Sequence, residues 1–227
     1  MHLLAIETST EACSVALWID GDVRERHEVA PRRHTQLALP WAESLLAEAG
    51  IDRARLDAIA VGRGPGAFTG VRLGIALAQG IALALDRPLL PVSTLAVLAM
   101  QGRAPSIVAA IDARMGEVYA GTFVRGGDGL VRADGDERVS APADAHLPEG
   151  PFAAVGTGFA ADGGALATRA GARAIALDAA ALPHAADLAR LAEALFRAGG
   201  AVAPEHVEPA YLRDKVALTL AEQGRPR

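Results

Sequence analysis

The segment from Gly62 to Leu85 restricts the fold of this chain more than any other part of the sequence. It begins as a glycine- and proline-rich loop. It continues as a stretch that is apolar around nearly the whole circumference of a helix, with only Arg72 and Gln79 as interruptions. A helix of this kind is buried on both sides. One side must therefore cover a sheet, and the other must contact either the rest of the chain or another protein.

Two faces of this helix differ in the size of their side chains. Thr69 is a suitable N-cap, so we predict a helix from about residue 70 to residue 85. One face carries large apolar residues, among them Leu73 and Leu77. Another face is smooth, because small residues recur at every fourth position: Gly66, Gly70, Gly74, Ala78 and Ala82. The spacing is equally compatible with a core helix and with a protein–protein contact.

Apolar runs and turn signals predict an alternating α/β chain around this helix. In the first part we predict strands at 2–6, 14–19, 23–29, 58–61 and 89–92, and helices at 34–49, 70–85 and 94–100, the last capped by Ser93 or Thr94. Asp20-Gly21 predicts a two-residue hairpin between the second and third strands. The order β-β-β-α-β-α-β-α resembles one half of the actin-like ATPase (ASKHA) fold, an α/β fold of two lobes with mixed sheets.

The pattern begins again after a loop at 101–105, with weaker signals. Strands are predicted at 107–111, 118–124, 152–155 and 174–177, and helices at 160–170 and 185–198. We therefore predict a first lobe over residues 1–103 and a smaller, reduced second lobe over 104–227. The C-terminal segment, from about 207 to 227, is a candidate to pack back on the first lobe, with a last helix over 207–220.

Composition excludes several classes of function. Apolar residues make up 51% of the chain, which predicts packed cores and argues against disorder. The net charge is −5 and the sequence contains no basic stripe, so direct binding of nucleic acid is not expected. The single cysteine, Cys13, lies in an apolar run and fits a buried position in a reducing compartment. We find no secretory leader pattern and no uninterrupted apolar stretch of membrane-spanning length, so we expect a cytoplasmic protein without membrane contact.

The turn after the first strand, Glu7-Thr8-Ser9, stands where actin-like ATPases have their first phosphate loop, Asp-x-Gly-Thr/Ser. In that loop the glycine lets the backbone approach a phosphate, and the aspartate organises Mg²⁺. Here Glu7 replaces the aspartate and Thr8 replaces the glycine, so a β-carbon narrows the space for a phosphate. We interpret the turn as a degraded phosphate loop, although an ordinary turn at a strand end explains it as well.

Five strings of sequence carry a family resemblance. They are Ile6–Ser9, Gly64–Gly74, Val92–Ala96, Ile111–Tyr119 and Tyr211–Arg213. Together they resemble the TsaB (YeaZ) family, strongly over residues 1 to about 124 and more loosely beyond. The strings Gly64–Gly74 and Ile111–Tyr119 are the most specific of the five.

The resemblance implies a role in forming N6-threonylcarbamoyladenosine in tRNA, at the adenosine beside the anticodon. In the complex of this family, TsaD is the related enzyme that transfers the threonylcarbamoyl group, and TsaE is a small ATPase. TsaB is a non-catalytic dimerisation partner of TsaD and forms homodimers when alone. The resemblance therefore implies a scaffold subunit that meets tRNA only indirectly.

TsaD-type members carry His-x-x-x-His after a Pro-Val strand, a pair that can bind one metal ion from a single helix face. In this chain the two matching positions hold Thr94 and Leu98. The six histidines are scattered and none forms such a pair. We expect no catalytic residue, no metal and no cofactor. An actin-like small-molecule kinase and a glycoprotease-like metalloenzyme remain the alternatives.

The predicted partner interface lies on the apolar helix and on its neighbour at 34–49. It comprises Leu37, Trp41, Leu45, Gly70, Arg72, Gly74, Ile75, Ala78 and Gln79. Asp112, Arg114 and Glu117 follow a predicted strand end in the Ile111–Tyr119 string. The sequence leaves open whether these three charged residues stabilise a turn or contact a partner.

Overall fold

A computed structural model of the chain describes residues 1–213, which form two β-sheets with helices around them. The first sheet contains β1 (His2–Glu7), β2 (Ala12–Ile19), β3 (Asp22–Val29), β4 (Ala58–Gly62) and β5 (Leu89–Val92). The second contains β6 (Ser106–Arg114), β7 (Glu117–Arg125), β8 (Val131–Ala133), β9 (Arg138–Ser140), β10 (Phe152–Val155) and β11 (Ala174–Asp178). The α-helices are α1 (His34–Ala49), α2 (Phe68–Leu85), α3 (Thr94–Ala99), α4 (Ala165–Ala170) and α5 (Ala185–Arg197).

The first sheet has the strand order β3-β2-β1-β4-β5. Its first three strands form an antiparallel meander, whereas β1, β4 and β5 run parallel to one another. Every residue of β1 and β4 is buried. Continuous apolar runs of this kind are typical of strands that are covered on both faces.

Helices cover the first sheet from both sides. Leu4 and Ile6 face a core formed with α1 and α2, whereas Leu3 and Ala5 of the same strand face α5. This division follows from the alternation of side chains along a strand. We call the first sheet with α1, α2 and α5 the first lobe.

The second sheet has the order β11-β10-β6-β7-β8, and β9 also pairs with β7. β6, β10 and β11 are parallel, and β6, β7 and β8 are antiparallel. Together with α4 this sheet forms the second lobe. The short helix α3 joins the two lobes, because Leu95 and Leu98 pack among apolar residues of β6 and β7.

The expected α/β fold with two mixed sheets is confirmed. The Asp20-Gly21 hairpin is confirmed too, since both residues have positive φ and connect paired strands. The side chain of Ser93 caps α3 by accepting from the backbone N–H groups of Leu95 and Ala96. The prediction that Thr69 caps α2 was wrong.

The predicted starts of two helices differ from the structure. α2 begins at Phe68, one residue before Thr69, and its N-cap is Ala67. The predicted helix at 160–170 is shorter, because glycines at 163 and 164 adopt positive φ and the α-helix begins only at Ala165.

The predicted lobe boundary at residues 103 and 104 stays a prediction. α5 lies after that boundary in sequence and packs on the first sheet. Residues Val207–Arg213 contact both lobes without forming a helix. The rest of the predicted last helix, residues 214–220, lies outside the described residues.

Candidate functional site

The small-residue face of α2 lies against the turn that follows β1. A Cβ atom placed on Gly70 would overlap the carbonyl oxygen of Thr8, and one placed on Gly66 would overlap that of Ser9. A Cβ on Gly74 would lie 2.6 Å from Thr8 Oγ1. Glycine at these positions therefore allows the helix backbone to touch the turn. The smooth face meets the chain's own backbone.

The carboxylate of Glu7 is enclosed by groups of the same turn and of α3. The backbone N–H of Ser9 donates to Glu7 Oε1 at 2.7 Å, and Thr94 Oγ1 lies 3.2 Å from Glu7 Oε2. Burial raises the pKa of Glu7, and the hydrogen bonds from Ser9 and Thr94 partly offset that rise. A Cβ on Gly62 would also overlap this carboxylate.

The polar groups of the turn have partners within the chain. Thr8 Oγ1 donates to the carbonyl of Gly70 at 2.8 Å, and the backbone N–H of Ala67 donates to the carbonyl of Ser9 at 2.7 Å. An N–H group near a helix start that already has a carbonyl partner is not available to an anion. The arrangement therefore holds α2 and β1 together and engages these polar groups within the chain.

A cavity of about 410 Å³ lies beside this turn, between the lobes. Asp112 and Arg114 at the end of β6 line it, opposite Glu11 of the first lobe. Arg114 donates to Glu11 at 3.0 Å and to Asp112 at 2.8 Å. Glu117 is paired with Arg213. Each of these charged groups is therefore paired with an opposite charge across or beside the cavity.

The outward side of α2 carries an apolar seam. Its members recur with alternating steps of four and three residues: Thr69, Leu73, Ala76, Gly80 and Leu83. This is the spacing of a seam that packs against another helix. Thr69, Ala76, Gly80 and Leu83 are exposed, Leu83 to 65%, and Leu73 is half-buried. We call these five residues the outer seam.

Comparisons with known proteins identify relatives of this chain. A family model described as "TsaD: tRNA N6-adenosine threonylcarbamoyltransferase" matches residues 27–220. The chain is 43% identical to the tRNA threonylcarbamoyladenosine biosynthesis protein TsaB of Escherichia coli (strain K12), over 96% of both chains. It is 39% identical to the TsaB protein of Haemophilus influenzae (strain ATCC 51907 / DSM 11121 / KW20 / Rd), over 95% of both chains. The chain belongs to the TsaB family.

A solved structure supports the same assignment within the TsaB family. A protein from Pseudomonas aeruginosa, described as uncharacterized with similarity to peptidase YEAZ, superposes with a TM-score of 0.87. It is 45% identical, and the match covers 93% of this chain and 99% of that one. The resemblance predicted from the five sequence strings is therefore confirmed.

The two positions at which TsaD-type relatives were expected to bind metal are buried in this TsaB-family chain. Thr94 Oγ1 accepts from the backbone N–H of Gly64 at 3.1 Å and lies 3.0 Å from Ser9 Oγ. Leu98 belongs to the apolar core between α3 and the second sheet. Among residues 1–213, no cluster of three or more histidine, cysteine or acidic side chains has the geometry of a metal site.

The nine predicted interface residues fall into two groups. Five are buried in the core of the first lobe: Leu45, Gly70, Gly74, Ile75 and Ala78. Four are half-buried: Leu37, Trp41, Arg72 and Gln79. Gln79 donates to the carbonyls of Pro204 and Val207, and Arg72 donates to the Tyr211 hydroxyl at 2.8 Å.

The outer seam was missed by the sequence analysis, which named only Leu73 of its members as part of an apolar face. The steps of four and three were visible in the sequence. However, the same helix also contains a regular four-residue step, and spacing cannot say which face turns outward.

α2 also has the length and composition of a membrane-spanning helix, as do many core helices of soluble proteins. Six of its residues are buried here.

Proposed function

We propose that this chain is a non-catalytic scaffold subunit in the formation of N6-threonylcarbamoyladenosine in tRNA. In this proposal it binds a TsaD-type enzyme through the outer seam, and a TsaE-type ATPase joins through the complex. It forms homodimers when alone, contacts tRNA only through its partners and works in the cytoplasm. The observation that carries the proposal is the exposed apolar seam of α2. The opposite face of this helix packs against the backbone of the turn after β1.

The composition of the outer seam supports a helix as the partner. Ala76 and Gly80 are small and exposed, so a second helix backbone can approach closely at the middle of α2. Leu73 and Leu83 flank them and supply apolar area to bury, at about 25 cal/mol per Å². Exposed apolar patches of this kind mark protein–protein contacts in soluble proteins.

The neighbouring helix α1 extends the same surface. Leu37 and Trp41 lie on one flank of α1 and are half-buried beside the core that α1 and α2 share. Tryptophan is among the residues that contribute most at protein interfaces. The interface proposed here therefore consists of the outer seam with Leu37 and Trp41 at its side.

The turn after β1 supports the absence of catalysis on this subunit. An actin-like kinase needs backbone N–H groups that are free to hold a phosphate. Here the N–H groups of Ser9 and Ala67 donate to the chain's own oxygens. The enclosed Glu7 carboxylate fits a structural role between β1, α2 and α3.

The decisive experiment is a reconstitution with a TsaD-type partner, a TsaE-type ATPase and a tRNA transcript. We expect modified adenosine only when this chain and its partners are all present. Leu83→Asp should weaken the association with the TsaD-type protein by about 30-fold, or about 2 kcal/mol, because a charge then faces the partner helix. Leu177→Asp on β11 changes another exposed leucine in the same way, is the matched control and should leave association unchanged.

Three results would contradict the proposal. One is normal association of the folded Leu83→Asp chain, measured by light scattering and pull-down. A second is ATP turnover by the isolated chain that Glu7→Ala abolishes, which would favour a kinase. A third is stoichiometric zinc or iron in the purified chain together with catalysis, which would favour a metalloenzyme.

A further inference from the structure

The segment Val207–Arg213 crosses from the first lobe to the second and has hydrogen bonds to both. It has no regular secondary structure in the described residues. A segment of this kind keeps one conformation only if side chains and backbone groups elsewhere fix it. The contacts at its two ends show what holds it.

The first end of the segment is fixed to the first lobe. Val207 is buried in the core beneath α1 and α2, and its carbonyl accepts from Gln79 at 3.3 Å. Further along, the backbone N–H of Ala210 donates to the carbonyl of Arg63 at 2.8 Å. Tyr211 stands beside Arg72, whose guanidinium also lies 3.4 Å from the centre of the Phe68 ring. Cation–π contacts of this kind add to the hydrogen bond.

The second end is fixed to the second lobe by one arginine. The guanidinium of Arg213 forms an ion pair with Glu117 and donates to the carbonyl of Ala113 at 3.2 Å. Its side chain is only 19% exposed. A partly buried, charge-assisted contact with a planar guanidinium is stronger and more directional than a surface ion pair.

The segment also separates two open spaces between the lobes. Tyr211 and Arg213 line the cavity of about 410 Å³ on one side. Ala210 and Leu212 also line a groove of about 610 Å³ that contains Arg63 and Glu137. Because the segment borders both spaces, it occupies the interval between the two lobes.

Other contacts between the lobes include the ion pair between Arg114 and Glu11. These side chains are 71% and 41% exposed, and an exposed pair contributes about 0–1 kcal/mol. We propose that Val207–Arg213 is an intramolecular strap, which holds the two lobes at a fixed angle through the Arg213 anchor. Release of that anchor lets the lobes move apart about α3, which packs against both.

The test measures the distance between the lobes in the isolated full chain. Arg53→Cys in the first lobe and Ala172→Cys in the second place nitroxide labels on exposed positions, and the native Cys13 is buried and stays unlabelled. Dilution with excess unlabelled chain removes distances between copies. We expect a narrow distance distribution in the labelled parent. Arg213→Ala should broaden it and add longer distances, whereas Arg138→Ala, which loses only an exposed pair with Asp136, should not.

Glu117→Gln is the second variant and removes the charged partner while it keeps the side-chain volume. It should broaden the distribution in the same direction. If Arg213→Ala does not fold, the result for Glu117→Gln alone tests the proposed anchor. A parent-like distribution in the folded Glu117→Gln chain and in any folded Arg213→Ala chain would overturn the proposal. Because no partner protein is present, the outcome does not depend on the proposed role as a scaffold subunit.

Discussion

α2 and α5 cover opposite faces of the same sheet, yet their outward sides are very different. α5 turns the side chains of Arg190 and Arg197 outward, and they pair with the less exposed acids Asp187 and Glu193. α2 turns its apolar seam outward, with exposed alanine, glycine and leucine. Both helices bury one face against the sheet. The apolar outward side of α2 is what the proposed contact with a partner helix requires, and α5 has no such side.

The two helices are also attached to the sheet in different ways. α2 has no side-chain cap and is held by backbone contacts at its glycines. α5 is held at its start by polar side chains of the first sheet. Ser14 Oγ accepts from the backbone N–H of Ala185 at 2.9 Å, and Glu25 accepts from that of Ala186 at 3.0 Å and pairs with His184. Each attachment can be broken without touching the other.

The largest effect is expected from a pair of adjacent residues on α2. Ile75 is 5% exposed in the core, whereas Ala76 belongs to the outer seam. Ile75→Asp should destabilise the chain by about 4 kcal/mol or more, because it buries an unpaired charge. Ala76→Asp should change the free energy of unfolding by no more than about 0.5 kcal/mol. Urea unfolding of both variants checks this, and equal losses would contradict the assignment of the two faces.

A smaller loss is expected where α2 touches the β1 turn. Gly70→Ala places a methyl group against the backbone carbonyl of Thr8, which cannot rotate away. We expect a loss of about 3 kcal/mol, the upper part of the range for overpacking. Thermal unfolding measures it. A melting temperature that equals that of the parent would show that the helix and the turn separate easily.

The attachment of α5 should depend on pH. Burial alone raises the pKa of Glu25, but hydrogen bonds from His184, Ala186 and Ser14 outweigh it and lower the pKa to about 2. A depressed pKa stabilises the fold above the unfolded value of 4.5, and this stability is lost as pH falls towards 2. At about pH 7 the contribution is about 2–3 kcal/mol, because solvent screens the part of the Glu25 side chain that stays exposed.

Urea unfolding of Glu25→Gln against the parent tests this dependence. The difference between the two chains should be largest near neutral pH and should shrink below about pH 5. Glu48→Gln, which changes an exposed pair with Arg26, is the control and should show little pH-dependent difference. A constant difference for Glu25→Gln at every pH would contradict the assigned pKa.

The smallest effect is expected at Gly80, in the middle of the outer seam. A Cβ there meets nothing within 4 Å in the isolated chain. Gly80→Ala should therefore stabilise the chain by about 0.5–1 kcal/mol through helix propensity. The same change should weaken association if a partner backbone lies against Gly80. Stability and association measured on one preparation separate the two effects, and a destabilised chain would contradict an open position at Gly80.

Much of the fold could be predicted from local sequence. The Asp20-Gly21 hairpin and the Ser93 cap depend on residues within a few positions of one another, and both are confirmed. The start of α2 was misplaced because Ala67 caps it through backbone geometry alone. The docking of α5 on the first sheet was not predicted, since it depends on Ser14 and Glu25, which lie far away in sequence.

The candidate site was harder to predict for a related reason. In a helix that is apolar nearly all round, periodicity identifies the faces but does not tell which face packs inside the chain and which faces outward. The position of Thr8 against Gly70 decides the direction, and that contact spans 62 residues of sequence. The spacing identified Gly74 and Ala78 as part of a face that allows close packing. It did not identify the element that packs against this face.

The backbone contact between α2 and the β1 turn has a mechanical consequence. Because no side chain cushions the contact at Gly66 and Gly70, a tilt of α2 displaces Thr8 and Ser9 directly. The Glu7 carboxylate and Thr94 at the base of α3 lie immediately behind them. A load applied at the outer seam thus reaches the interval between the lobes across the thickness of one helix, about 10 Å. The proposed partner surface and the turn at the edge of the cleft are therefore separated by a single helix.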